Sequence, residues 1–293
     1  MTDRRLLISV AHPDDETFGY GGLVAKYVAE GADVFALVST NGDVGTMDQS
    51  FVERHGSVKA VRLAELDCAT RLLGFRKLFL LGYRDSGMMG SETSHHPDCS
   101  WQAPRTELTR RVVEVIREAR PQVILTHNRY GGYGHPDHIA IQRATTDAFS
   151  LAADADYATD GQAVWQPQKL YYSSQRTLML RYGILMTRLR GKDPRAMGRN
   201  GDIDLVAVLE NIEPPHARIN VRDWLDIWEQ ASNCHASQLG GRRARPPRWL
   251  RLLFQSHVSY TRVHPRPSHN RIDEHDLFEN VRFDAQEPGP NGT

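Results

Sequence analysis

Short apolar runs alternate with longer segments whose apolar positions recur every three to four residues. Leu6-Leu7-Ile8-Ser9-Val10, Asp33 to Ser39, Lys77 to Leu81, Val123 to Thr126 and Lys169 to Ser173 are the runs. Their near-continuous hydrophobicity predicts strands buried on both faces. Between them, Leu23 to Ala29 predicts a helix stopped at Gly31. Val58, Val61, Leu66, Ala69 and Leu72 approximate a helical stripe ending at Gly74. Leu108, Val112, Val113 and Ile116 mark another helix closed by Pro121, and one more runs from about Asp137 into Phe149. Strand–helix alternation implies parallel pairing with right-handed crossovers. The expected fold is α/β: a three-layer Rossmann-like sandwich, its central sheet mainly parallel in the order 3-2-1-4-5, with a C-terminal elaboration. The switch point then lies between the first and fourth strands, at their carboxyl ends, where such sheets usually bind ligands.

Beyond residue 173 the pattern weakens. Arg176 to Asn200 is rich in arginine and methionine and is read as a partly helical excursion beside the site or a solvated insertion. Val221, Trp224, Trp228 and Ala231 predict an amphipathic helix capped by Asn220 and broken by Gly240-Gly241. The Trp224/Trp228 pair is read as core. Nothing resembles a linker. The chain is therefore expected to be one domain over 1–293: a core over 1–173, a substrate-side insertion and elaboration over 174–286, and a disordered tail over 287–293.

Composition narrows the choice. The 293 residues carry 36 basic and 36 acidic side chains. That balance argues against a chain built to coat nucleic acid or an anionic membrane. The arginines Arg242, Arg243, Arg245, Arg248 and Arg251 are accordingly read as a solvated face. The three cysteines, Cys68, Cys99 and Cys234, are far apart without CxxC spacing. This points away from disulfides and cysteine–zinc sites and towards a reducing cytoplasm. No segment is long and apolar enough for a signal peptide or membrane span.

The thirteen histidines carry more information. The first strand runs into Ala11-His12-Pro13-Asp14-Asp15-Glu16, an imidazole and three carboxylates within five residues. A divalent cation would compensate their charge, though the carboxylates could equally favour the dipole of a following helix. The fourth strand feeds Tyr130-Gly131-Gly132-Tyr133-Gly134-His135-Pro136-Asp137-His138. Two such clusters flanking one switch point supply three zinc ligands and leave a position open. His127 and His235 are candidates to support that site from behind. The His95-His96 pair with Cys99 lacks a further nearby ligand and is discounted.

AHPDDE after the first strand, paired with GHPDH after the fourth, resembles the LmbE/PIG-L family of zinc-dependent N-deacetylases. The resemblance is firm over about Leu6 to Phe149. It is looser through Trp228, His235 to Gln238, Arg262-Val263 and Asp276 to Phe278. It implies one zinc per chain (iron or cobalt being alternatives), held by His12, Asp15 and His138. It further implies Asp14 as general base to a zinc-bound water, and His135 as partner to the transition-state charge, donating to it if protonated. Asp137 would orient a motif histidine, and Tyr133 would sit near the acyl carbonyl. Arg62 and Asp85 resemble positions that hold sugar or inositol hydroxyls. The implied reaction removes an N-acyl group, by preference acetyl, from a small amino-sugar substrate in the cytoplasm. Homo-oligomers are frequent in the family. The alternatives are an amidase of a larger amide, such as a mycothiol S-conjugate or a secondary-metabolite precursor, and a non-catalytic carbohydrate-binding protein. A nucleotide-binding Rossmann module is disfavoured, because acidic groups stand where phosphates would sit.

Overall fold

The computed structural model describes residues 3–157, 159, 161–198, 200–240 and 248–283. Seven strands form one sheet: β1 (Arg5–Val10), β2 (Asp33–Thr40), β3 (Lys77–Tyr83), β4 (Val123–Thr126), β5 (Lys169–Ser173), β6 (Ala217–Asn220) and β7 (His257–His264). Their order is β3-β2-β1-β4-β5-β7-β6. The first five follow the expected order and pair in parallel. The mainly parallel sandwich read from the sequence is the fold observed.

Strand β1 shows why the sheet has two covered faces. Successive side chains point to opposite sides. Leu6, Ile8 and Val10 join a core with Leu23, Val24, Tyr27 and Leu66, beneath the helices Gly21–Ala29, Val58–Leu73 and Leu225–Cys234. Leu7 and Ala11 join Val112, Ile116, Ile141 and Ala148, beneath the helices Arg105–Ala119 and Pro136–Leu151. Each fully buried leucine or isoleucine contributes about 1.5–3 kcal/mol. The expected stops hold: Gly74 caps its helix with φ 78° and Arg120 ends another at φ 49°.

The C-terminal half differs from expectation. Strand β5 is not an edge, because β7 pairs with it antiparallel and carries β6 outward. Asn220 ends β6 rather than capping the following helix. Its Oδ1 accepts from the Arg222 N–H, starting a 3-10 turn, and the helix proper begins at Leu225. That helix ends at Cys234, before Gly240. The second corrected expectation concerns the cysteines: Cys68 and Cys234, 166 residues apart, form a disulfide, while Cys99 is free and buried. The bond joins the Val58–Leu73 helix to the end of the Leu225–Cys234 helix, a pairing that linear spacing could not reveal. Arg251 is not solvated either, since it binds Glu229 and the Leu225 carbonyl. Gly241, the arginines at 242, 243 and 245, and the tail from 287 lie outside the described residues. No helix among the described residues is long and apolar enough to cross a membrane.

Candidate metal centre

The carboxyl ends of β1 and β4 are neighbours in the sheet, so the two histidine segments leave it side by side. After β1 the chain turns sharply at Asp14, whose φ of 154° is unfavourable for any residue with a side chain. Two acceptors hold this turn: Asp15 Oδ2 takes the His12 N–H at 2.8 Å and Glu16 Oε2 takes the Asp14 N–H at 2.9 Å. After β4 the Gly131–Gly134 turn is kinked at Gly132. Only glycine fits at Gly131, where a Cβ would fall 2.7 Å from Ile139 Cγ1. The helix Pro136–Leu151 then starts with His135 as its cap, Nδ1 accepting from the Asp137 N–H at 3.2 Å.

These turns bring three candidate ligand atoms together. His12 Nδ1 lies 3.0 Å from His138 Nε2 and 3.5 Å from Asp15 Oδ2, and the last two are 3.4 Å apart. A tetrahedral zinc with ligands at about 2.0–2.1 Å has edges of about 3.3–3.4 Å. The triangle therefore fits a zinc ion. The other ring nitrogen of His12 is 3.2 Å from Asp137 Oδ2, as expected where a carboxylate fixes the tautomer of a ligating histidine. Asp137 is fully buried. Its oxygens also accept from the Ser86 N–H, at 2.9 Å, and from the Ser86 hydroxyl. Beside the groups His12, His135, His138 and Asp15, His127, His138, which share residues with the triangle, a further group of His12, Asp85, His135 and Asp137 also lies within reach of one ion. It is the weaker candidate, because Ser86 already engages both Asp137 oxygens.

His127 stacks on His138 with ring centroids 3.9 Å apart, and its Nε2 accepts from the Ala11 N–H. His235 is buried, Nε2 3.0 Å from Glu16 Oε1. Both support the cluster from behind. Arg62 is buried with Nη1 3.2 Å from Asp14 Oδ2, and its Nε has no hydrogen-bond partner. Asp85 lies 3.6 Å from His12 Nε2 and accepts from the Gly87 N–H. Tyr133 sets its ring edge-on to His138, 5.2 Å away, and to His135, 5.8 Å away. His95 and Cys99 lie outside the groups that could hold a metal. Trp228 packs against Gly21 and Gly22 and donates to the Thr17 carbonyl, a core role as expected.

Burial and charge divide the carboxylates. Burial pushes Asp14 above the ordinary range, with Arg62 opposing. Burial acts upward on Asp15 too, but the imidazoles of His138 and His127 outweigh it and hold Asp15 well below. Burial also pushes His135 well down, so its imidazole is neutral, and pushes the Tyr133 phenol up. The sequence reading missed Ser86, and also Glu65, which binds the Ser237 N–H and hydroxyl. Neither shows a spacing signal, because their partners are 51 and 172 residues away.

The PIG-L model, described as GlcNAc-PI de-N-acetylase, matches residues 7–149. A 1D-myo-inositol 2-acetamido-2-deoxy-alpha-D-glucopyranoside deacetylase from Thermobifida fusca is 38% identical over 254 residues, covering 82% of this chain and 85% of that one. The chain belongs to the PIG-L family. It is thus a hydrolase, like the deacetylases it resembles. Among solved structures, the N,N'-diacetylchitobiose deacetylase of Pyrococcus horikoshii superposes with a TM-score of 0.57 at 18% identity, covering 88% of this chain and 83% of that one. A 4-carboxy-2-hydroxymuconate hydratase of Pseudomonas putida superposes as well, at 0.58 and 16%, covering 92% and 100%. The fold thus hosts more than one chemistry, and the site rather than the fold decides which.

Proposed function

We propose that this PIG-L chain is a zinc-dependent deacetylase that hydrolyses the acetamide of an N-acetylglucosaminyl substrate, with an inositol as the preferred second ring. The observation that carries this reading is the triangle of His12 Nδ1, Asp15 Oδ2 and His138 Nε2, with edges of 3.0–3.5 Å, beside the strained Asp14. The likeness to the inositol-linked amino-sugar deacetylase across most of both chains supports the substrate class.

His12, Asp15 and His138 would hold the metal. When bound, zinc supplies Lewis acidity that polarises the amide carbonyl and acidifies water. Asp14, outside the ligand set, takes a proton from the attacking water and delivers one to the departing amine. Its raised carboxyl suits that exchange better than an ordinary exposed aspartate. Arg62 keeps the carboxylate aimed. His135 need not be charged to fill this role. Its Nδ1 accepts from Asp137, so the proton of the neutral ring sits on Nε2 and can be donated to the developing oxyanion. Tyr133 stays a phenol and is a second donor. One such donor is typically worth about 3 kcal/mol. Asp85 faces the same space and accepts from a sugar hydroxyl.

The test is acetate release from N-acetylglucosaminyl inositol by protein of measured zinc content. Acetate and free amine should appear together, vanish with a chelator and return with zinc. Zinc-loaded protein that releases acetate from no N-acetylglucosamine conjugate would refute the proposal.

A further inference from the structure

Of the fifteen exposed large hydrophobic residues described, eight lie on two helices, Thr177–Leu189 and Arg248–Gln255. On the first, Leu178, Tyr182, Leu185 and Leu189 stand at i, i+4, i+7 and i+11, a single stripe. Leu178 is 80% exposed and Leu189 72%. The opposite side, with Ile184 and Thr187, is the one that packs inward. The second helix presents Trp249, 66% exposed, and Leu253 one turn later, while Leu252 packs on the core. Both helices stand at the carboxyl edge of β5, the edge of the sheet that carries the metal cluster. The first follows β5 directly. The second leads into β7, whose start projects past Ser173 because Ser173 pairs with Tyr260. The Arg176 guanidinium ties them together by donating to the carbonyls of Phe254 and His257.

Charge narrows the choice of partner. From Arg176 to Arg190 the sequence holds four arginines and no carboxylate, whereas the two arginines of the second helix, Arg248 and Arg251, face Asp226 and Glu229. Arg181 and Arg188, seven apart, flank the leucine stripe and have no carboxylate partner among the described residues. A second copy docked through this face about a two-fold axis would set arginine against arginine. Leucine and aromatic side chains beside Arg181 and Arg188 instead match the boundary of an anionic bilayer, where the apolar groups enter the acyl region and the arginines reach the headgroups. Zero net charge does not oppose this, since the local surface sets the field within a Debye length.

We propose that the two helices form a docking surface for anionic lipid bilayers, holding the PIG-L site at the membrane surface without any segment spanning it. The test is flotation of the full-length protein with phosphatidylcholine vesicles, with and without phosphatidylglycerol. Binding should need the anionic lipid and weaken as salt is raised. Each arginine at such a surface is worth about fivefold, so Arg181→Gln with Arg188→Gln should weaken binding about 30-fold. Leu185→Ser with Leu189→Ser should weaken it at least about tenfold. All four residues are exposed, so the melting temperature should not move. Absence of vesicle binding, or binding indifferent to both pairs, overturns the proposal. So does light scattering that shows a dimer lost in the leucine variant while vesicles are ignored, which would make the face a contact between copies.

Discussion

At the ends of β1 and β4 the chain buries charge, and at the end of β5 it exposes leucine. His12, Asp137 and His138 are almost inaccessible, whereas Leu178 and Leu189 stand in solvent. Both regions reverse the usual partition of polar outside and apolar inside. The first is tolerable because most of its buried groups have a partner: Asp15 spans two imidazoles and Ser86 holds Asp137, while His138 Nδ1 and Arg62 Nε stay without a hydrogen bond. The second has no partner among the described residues. Compensated and uncompensated inversions therefore ask different questions, one about what the group does and the other about what covers it.

The largest effect that tests this contrast is at Asp14. Asp14→Gly should lower turnover by about 10²–10⁴, the usual worth of a general base. It should move the melting temperature little, because glycine relieves a φ of 154° while the buried Arg62 loses its carboxylate partner. Wild-type turnover at normal metal content would remove Asp14 from the mechanism. Next comes an ordinary buried leucine set against an exposed one. Leu125→Ala in β4 should cost about 2–5 kcal/mol in denaturant unfolding, and Leu178→Ser no more than about 0.5. Equal costs would mean the leucine stripe is covered within the chain. The disulfide follows: Cys68→Ser should cost about 2–4 kcal/mol. An unchanged melting temperature under oxidising conditions would show that the bond does not form. The smallest effect is at Asp137. Asp137→Asn should weaken metal affinity about 10–100-fold by releasing the His12 ring, read by titration with a competing chelator. Unchanged affinity would remove Asp137 from its orienting role.

The parallel core was legible because its strands are buried on both faces and so lack polar alternation. Leu6 to Val10 and Val123 to Thr126 could hardly be anything else. Strands β6 and β7 were not legible, since they pair antiparallel near the edge and mix polar with apolar residues, as in His257-Val258-Ser259-Tyr260. Asn220 misled for a local reason. An asparagine that starts a 3-10 turn and one that caps an α-helix use the same side-chain acceptor.

The sequence by itself determined the strand–helix alternation and two histidine motifs at strand ends, because periodicity and close spacing are local properties. It also offered His12, Asp15 and His138 as candidates to bind a cation. Only the tertiary structure decided that His12 Nδ1 and His138 Nε2 come within 3.0 Å, and that Glu16 meets His235 across 219 positions. It alone joined Cys68 to Cys234 and turned four spaced hydrophobic residues towards solvent. Those outcomes depend on which elements pack together, and packing depends on the whole sheet rather than on any one segment.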